Sequence, residues 1–221
     1  CSILLVMGTE ENYFHIFNRG VDKRSIFEDE HDVYRFLTSI QEFNTDTPVG
    51  GLYVASLQKN KKSESVKNPI VSIAAYCLNK NHFHLLLKPL TAKGGSLFMQ
   101  RLCAGYTKYY NEKYNRSGVL FQGKHKRVLI ETNEQLLHVS AYVSVNDRAH
   151  PGLNPKWFSK IPFSSYGEYS GTAIKNPLCE KKIILDQYAS NREYCNFVES
   201  SLIGILESKK RSKDLDSLHL E

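Results

Sequence analysis

The segment N-H-F-H-L-L-L, residues 81–87, places two histidines two positions apart inside an otherwise apolar run. Side chains two residues apart in a β-strand point to the same face. His82 and His84 would therefore lie side by side, with Phe83 on the opposite face. Neutral imidazole nitrogen is a common ligand of divalent metals. A hydrogen-bonded pair of histidines at a sheet edge has the same spacing, so the segment alone leaves both interpretations open.

A second candidate group lies in L-L-H-V-S-A-Y-V-S-V-N, where Tyr142 and Asn146 are four positions apart. On a helix this spacing puts both side chains on one stripe, one turn apart. If that helix lies near the H-x-H strand, the two groups form a possible active site. Both histidines and the amide oxygen of Asn146 could hold a divalent cation, and the Tyr142 phenol could reach a phosphate bound there.

The elements that position these residues can be predicted from hydrophobic periodicity and capping residues. The predicted strands cover residues 13–19, 50–57, 70–78, 82–88 and 126–131. The predicted helices begin after Asp29 or Asp32, at Ser96 and at Thr132, and the last extends to about Asn146. A tight turn is expected between the third and fourth strands at residues 79–81, since asparagine tolerates positive φ. This order suits an α+β fold in which helices cover one face of an antiparallel sheet.

Composition sets broad limits on the function. The chain has 221 residues, of which 41% are hydrophobic and 24% charged, as in an ordinary globular protein. No apolar run approaches the roughly 20 residues that cross a membrane, so no membrane partner is expected. Five scattered cysteines without a C-x-x-C pair argue against a disulfide framework and a zinc ribbon, and predict a cytoplasmic protein. Met7 is a candidate for the natural start, in which case the residues before it come from an alternative start. A lipid-modified Cys1 is the other interpretation of this stretch.

The net charge is +6, the densest basic block is G-K-H-K-R at residues 123–127, and further cations lie on the helix after Ser96. Such clusters are typical of phosphate contacts, although a solvated basic surface has the same composition. The tyrosines of that helix, Tyr106, Tyr109 and Tyr110, are expected in the core rather than on a base-stacking platform.

Taken in order, F-N-R-G, N-H-F-H-L-L-L, G-V-L-F-Q-G-K and Y-V-S-V-N resemble the REP-associated tyrosine transposases, a branch of the single-tyrosine HUH transposases. The resemblance implies a ferredoxin-like antiparallel sheet with helices on one face, the HUH nuclease fold. It also divides the chain into a nuclease and strand-transfer domain at residues 9–150 and a mostly helical C-terminal extension at residues 151–221. Helices are expected near residues 181–190 and 192–206, followed by a frayed tail.

Residue by residue, the resemblance makes His82 and His84 metal ligands, Asn146 a third ligand and Tyr142 the nucleophile. The implied cofactor is Mg²⁺ or Mn²⁺. The DNA-binding residues expected are Arg19, Arg101, Lys108, Lys124, Lys126 and Arg127. The chain has Asn146-Asp147-Arg148-Ala149 where relatives often have N-P-V-R-A, so Asp147 could extend the metal site or lie in solvent.

The implied reaction is cleavage and rejoining of single-stranded DNA next to a hairpin, such as a REP-like palindrome, through a 5′-phosphotyrosine. A monomer is expected over a homodimer. One alternative is a domesticated protein that binds hairpins or single-stranded DNA without turnover, which would form no covalent adduct. A metal-dependent phosphoesterase is the other alternative. It would need more acidic ligands than Asp147 near the histidines.

Overall fold

The computed structural model describes residues 12–47, 68–150, 153–160, 163–172, 174 and 176–218. The strands are β1 (Tyr13–Arg19), β2 (Val71–Asn79), β3 (His82–Pro89) and β4 (Lys126–Ile130). The helices are α1 (Glu30–Phe43), α2 (Gly94–Lys113), α3 (Asn133–Ser144), α4 (Tyr166–Tyr169), α5 (Lys182–Leu185) and α6 (Asn191–Leu218). The strand predicted at residues 50–57 and the stretch before Met7 lie outside the described residues. Among the described helices, none is long and apolar enough to cross a membrane.

The four described strands form one sheet in the order β2-β3-β1-β4, and every neighbouring pair is antiparallel. The hairpin between β2 and β3 turns at Lys80 and Asn81, since Asn79 pairs with His82. Positive φ occurs among described non-glycine residues at Asp22, Lys23 and Asn115, and not in this turn. The hairpin was therefore predicted correctly, but the positive-φ argument for it was wrong.

Alternation along β3 divides the interior into two cores. Phe83, Leu85 and Leu87 pack with apolar residues of α1 and α2, whereas Leu86 packs in a second cluster with residues of α3 and α6. The predicted α+β class with an antiparallel sheet is confirmed, and α1 and α2 cover one face of the sheet. The α3 helix lies against the other face, which the prediction of helices on one face did not include.

The tyrosines of α2 belong to the core, as predicted. Tyr106 is fully buried and its hydroxyl donates to the carbonyl of Ile26 at 2.6 Å. The Tyr109 hydroxyl donates to the buried carboxylate of Asp32 at 2.9 Å. These hydroxyls are used within the fold, because a buried polar group without a partner is costly.

Two of the three predicted helix starts are correct. Asp29 caps α1 by accepting from the N–H of Asp32, and Thr132 caps α3 by accepting from the N–H of Gln135. The Ser96 cap is wrong, since α2 begins at Gly94 and has no side-chain cap. A Cβ on Gly94 would collide with the Ile70 carbonyl, so this start is set by tertiary packing rather than by a capping residue.

Three helix ends also differ from prediction. The helix expected near residues 181–190 covers only Lys182–Leu185. Helix α3 ends at Ser144, so Asn146 lies in the turn that follows rather than in the helix. Helix α6 continues to Leu218, through most of the tail that was expected to be frayed.

Candidate active site

Strand β3 presents the two histidines on the face that α3 covers. The ring centroids of His82 and His84 are 5.1 Å apart, and both residues are buried. Helix α3 brings the ring of Tyr142 edge-on to His84, with 5.8 Å between the centroids. The H-x-H pair and the predicted nucleophile therefore lie together, although 58 positions separate His84 from Tyr142 in the chain.

Asn146 completes this cluster from the turn after α3. Its side-chain oxygen Oδ1 lies 3.3 Å from Nε2 of His82, and the residue is fully buried. Its amide nitrogen Nδ2 is also buried and has no hydrogen-bond partner. The three predicted metal ligands therefore lie on one side of the sheet, with an oxygen of Asn146 facing a nitrogen of His82.

The hydrogen bonds of Asn81 determine which nitrogen of His82 carries the proton. Nδ2 of Asn81 donates to the carbonyl of Lys23 at 3.1 Å, so Oδ1 faces Nδ1 of His82 at 2.7 Å. A carbonyl oxygen can only accept, so His82 must be protonated at Nδ1. The lone pair then lies on Nε2, the form in which histidine binds a metal through that atom.

His84 has an equivalent partner that the sequence interpretation missed. Nε2 of His15, on β1, lies 2.8 Å from Nδ1 of His84. Burial lowers the pKa of His15 to about 4, so that ring is neutral at pH 7. When Nδ1–H of His84 donates to His15, the lone pair of His84 lies on Nε2 and is available to a metal. In the reverse arrangement, Nε2–H of His15 donates to Nδ1 of His84. The proton of His84 then lies on its own Nε2 and prevents metal binding through that atom.

The phenol of Tyr142 is half-buried in this cluster. Burial raises its pKa, and the Asn146 side chain offsets only part of this shift. A free tyrosine has a pKa near 10, so Tyr142 is protonated at neutral pH. It needs a nearby positive charge to react as a nucleophile.

A cavity of about 440 Å³ opens onto these groups. It is lined by Phe17, Asn18, Arg19, His82, His84, Gln122, Lys124, Lys126, Tyr142 and His150. Three of the predicted DNA-binding cations, Arg19, Lys124 and Lys126, therefore lie beside the histidines and the tyrosine. Gln122 and His150 were not predicted; the ring of His150 lies 5.5 Å from that of His82.

The other three predicted DNA-binding cations do not line this cavity. Arg101 donates through Nη1 to the carbonyl of Thr45 at 2.6 Å, and Lys108 lies 3.8 Å from Glu112 on the exposed side of α2. Arg127 stacks on the ring of Phe14, 3.5 Å from its centroid. Phe14 belongs to the core beneath α1 and α2, so Arg127 lies on the opposite face of the sheet from Tyr142. DNA contacts by these three residues stay predictions, and their positions do not favour them.

Asp147 directly follows Asn146 and is half-buried. Its Oδ1 accepts a weak hydrogen bond at 3.8 Å from the thiol of Cys77, the residue that pairs with His84 across the β2–β3 hairpin. Burial raises the pKa of its carboxyl group, so Asp147 is not a fully solvated carboxylate. Its contribution to a metal site stays a prediction.

The donor set fits a weakly held divalent cation. Within the described part of the chain, no three His, Cys, Asp or Glu residues form a metal-binding group. The predicted donors are Nε2 of His82, Nε2 of His84 and Oδ1 of Asn146. The first and the last of these atoms also contact Nδ2 of Asn79, at 3.2 and 3.0 Å. Mn²⁺ accepts imidazole more readily than Mg²⁺ does, and either ion would need water or phosphate oxygens to complete its shell.

Comparisons with known proteins do not assign the chain to a family. No protein-family model and no curated protein matches the chain. Among solved structures, the chain is similar to a REP-associated tyrosine transposase bound to a REP hairpin, at 12% sequence identity and a TM-score of 0.47. The similarity covers 77% of this chain and 86% of that one. The family resemblance seen in the sequence motifs stays a prediction.

Proposed function

We propose that this protein is a single-tyrosine DNA endonuclease and strand transferase that acts on single-stranded DNA beside hairpins. The observation that carries the proposal is the position of Tyr142, 5.8 Å from the His84 ring at a cavity lined by Arg19, Lys124 and Lys126. A phenol, two imidazoles and several cations at one opening are the groups that covalent cleavage of a phosphodiester requires.

The cations of the cavity would bind the substrate. A DNA phosphodiester is anionic, so a nucleophile approaches it against charge. Arg19 and the two lysines would bind phosphate oxygens and hold the backbone beside Tyr142. A divalent cation bound by His82, His84 and Asn146 would supply further charge neutralisation at the scissile phosphate.

Tyr142 would then carry the covalent step. Its Oη forms a bond to phosphorus while the bond from phosphorus to the 3′ oxygen breaks. The phenolic proton leaves to water in the open cavity, and the departing 3′ oxygen takes a proton to become a hydroxyl. The products are a 5′-phosphotyrosine and a free 3′ hydroxyl.

The same linkage would support rejoining. An aryl phosphodiester retains the free energy of the broken bond, so attack by another 3′ hydroxyl restores a DNA strand and releases Tyr142. No ATP is consumed. Hydrolysis would lose that free energy, which is why a covalent intermediate suits strand transfer.

The alternative of a metal-dependent phosphoesterase has less support from this site. Such an enzyme needs carboxylates to hold its metal and activate water. Neither Asp nor Glu is among the described residues that line the cavity. The alternative of a protein that binds hairpins without turnover differs from the proposal in forming no covalent adduct.

The proposal can be tested with a DNA hairpin that carries a single-stranded flank. The unaltered protein should nick the flank in Mg²⁺ or Mn²⁺ and should not do so in EDTA. Joint replacement of His82 and His84 by alanine should abolish nicking, while His31→Ala, at an exposed histidine on α1, should not. Full nicking in EDTA, or by the double variant, would refute the metal-dependent mechanism.

A further inference from the structure

A chain of three asparagine side chains leads from the backbone of the β2–β3 hairpin to the predicted metal ligands. The N–H of Lys80 donates to Oδ1 of Asn154 at 2.8 Å, and Nδ2 of Asn154 donates to Oδ1 of Asn79 at 2.9 Å. Nδ2 of Asn79 then donates to Oδ1 of Asn146 at 3.0 Å and lies 3.2 Å from Nε2 of His82.

The direction of this chain is set at its backbone end. The two ends of an asparagine amide have nearly the same shape, so their assignment usually rests on the hydrogen-bond network. A backbone N–H can only donate, so the oxygen of Asn154 must face Lys80 and its nitrogen must face Asn79. The nitrogen of Asn79 is then the group directed at Asn146 and His82, and it requires the oxygen of Asn146 in return.

Apart from its interaction with the Tyr142 phenol, Asn146 alone would not favour this orientation. Its own nitrogen Nδ2 is buried without a hydrogen-bond partner. A buried unsatisfied donor destabilises a fold. Rotation of the amide by half a turn would let that nitrogen donate to Nε2 of His82, which lies 3.3 Å from the present oxygen. The donor on Asn79 opposes the rotation, because two amide nitrogens would then face each other.

The two orientations differ in what they offer to a cation. With the oxygen toward His82, the amide oxygen and Nε2 of His82 border the same space, and Nδ2 of Asn79 contacts both atoms. With the nitrogen toward His82, an N–H occupies that space and the amide cannot act as a ligand there. The orientation of Asn146 therefore decides how many protein ligands are available.

We propose that Asn79 and Asn154 are positioning residues that hold the oxygen of Asn146 toward His82 and so raise the affinity of the site for a divalent cation. This inference rests on the proposed function, since it gives a role to residues behind the same metal site. Neither residue lines the cavity, and Asn79 is fully buried. They act through Asn146 and do not touch the substrate.

The test measures metal affinity directly, without DNA. Co²⁺ is the probe, because it binds nitrogen and oxygen sites more tightly than Mn²⁺ and has visible absorption bands that report its ligands. Outer hydrogen-bond partners of metal ligands typically contribute about 10- to 100-fold in affinity. We expect a loss of that order in Asn79→Leu, which keeps the number and branching of the side-chain heavy atoms, and a smaller loss in Asn154→Ala, which leaves Asn79 in place.

A structural role is separated from a positioning role by a matched control. Asn44 makes three hydrogen bonds of 2.9 Å to the backbone of Ile70 and Val71, at the other end of β2 from the site. Asn44→Ala should lower the thermal unfolding midpoint and leave Co²⁺ affinity unchanged. If Asn79→Leu does not fold, Asn154→Ala decides the question, because Asn154 is only half-buried.

The outcomes also separate this inference from the proposed function. Unaltered protein that binds Co²⁺, with folded Asn154→Ala and Asn79→Leu binding it equally well, would overturn the positioning role alone. Unaltered protein that binds no Co²⁺ would overturn the metal site and this inference together. Formation of a Tyr142–DNA adduct is measured separately and tests the proposed nucleophile in either case.

Discussion

Both histidines of the H-x-H pair are held through the same ring atom. Nδ1 of His82 faces Oδ1 of Asn81, and Nδ1 of His84 faces Nε2 of His15, at 2.7 and 2.8 Å. Each ring can therefore direct Nε2 at a cation. Asn81 belongs to the motif itself, whereas His15 comes from β1, 69 positions away.

Replacement of His15 by phenylalanine tests the second of these contacts. Phenylalanine keeps a ring beside Tyr142 and Phe17 but has no acceptor for Nδ1–H of His84. We expect metal-dependent adduct formation to fall by about 10- to 100-fold, with hairpin binding unchanged. The measurement is the initial rate of adduct formation in Mn²⁺.

The control is His138→Phe, on the exposed side of α3, where the histidine lies 4.0 Å from Glu134. It should retain the rate of the unaltered protein. A His15→Phe protein that is as fast as the unaltered one would show that His84 needs no partner on β1.

At the scale of elements, the helix that carries Tyr142 is fixed by the C-terminal segment. The Ser140 and Tyr194 hydroxyls are 3.2 Å apart and those of Ser144 and Ser165 are 2.9 Å apart. Just after α3, Arg148 makes a two-pronged ion pair with Glu199 of α6 at 2.9 and 3.0 Å. Residues beyond the predicted nuclease domain therefore contribute to the position of Tyr142, the proposed nucleophile.

The ion pair predicts a dependence of stability on pH. The hydrogen bond from Arg148 lowers the pKa of Glu199 below its ordinary value of 4.5. The stability it contributes is present above pH 4.5 and is lost as the pH falls through the lower value of the folded state. Because the pair is partly exposed, the contribution should be about 0.2–1 kcal/mol.

Thermal unfolding of Glu199→Gln measures this contribution. Its unfolding midpoint should be slightly lower than that of the unaltered protein at neutral pH, and the two should converge as the pH falls through the lowered pKa of Glu199 in the folded state. Glu207→Gln, at an exposed position of the same helix, should follow the unaltered protein throughout. Parallel pH curves for Glu199→Gln and the unaltered protein would contradict the assignment.

The elements themselves were largely predictable from local sequence. Periodicity and capping located β1, α1, the β2–β3 hairpin and the start of α3, because those signals lie within a few residues of each element. The start of α2 was not predictable, since Gly94 is required by its contact with the Ile70 carbonyl. That contact depends on how distant segments pack.

The same distinction applies to the site. The spacing of His82 and His84, and that of Tyr142 and Asn146, could be read within their own motifs. His15, Asn79 and Asn154 could not be assigned, because their roles come from hydrogen bonds between chain segments far apart in sequence. Lys126 and Arg127 lie on opposite faces of β4, so they do not form one basic surface, and DNA binding by Arg127 stays a prediction.

At the scale of the whole molecule, the net charge of +6 is distributed unequally with respect to the site. Lys124, Lys126 and Arg19 line the cavity, whereas Arg127 lies on the other face of the sheet. The affinity for a DNA backbone should therefore depend on where the cations lie relative to the cavity rather than on the total charge of the protein.

Salt dependence of binding tests this distribution. Each lost phosphate contact to single-stranded DNA should lower the slope of log K against log salt concentration by about 0.7. Lys124→Ala and Lys126→Ala together should lower it by about twice that amount. Arg127→Ala removes one positive charge, as each lysine variant does, but from the opposite face, and it should leave the slope unchanged. If Arg127→Ala lowered the slope as much as the double lysine variant does, this would contradict DNA binding at the cavity.

The central claim is that Tyr142, among 13 tyrosines, forms the covalent bond to DNA. Tyr142→Phe removes one oxygen and keeps the ring against His84, so the free energy of unfolding should change by about 1 kcal/mol or less. Hairpin binding should persist. Tyr34→Phe, at an exposed tyrosine of α1, is the matched control.

The most direct measurement is a denaturing gel of each protein after incubation with a labelled hairpin and single-stranded flank in Mg²⁺ or Mn²⁺. The unaltered protein and Tyr34→Phe should give a slowly migrating protein–DNA adduct that carries the 5′ phosphate, and a fragment with a free 3′ hydroxyl. Tyr142→Phe should give neither. An adduct formed by Tyr142→Phe, or none formed by the unaltered protein on any such hairpin, would contradict the account.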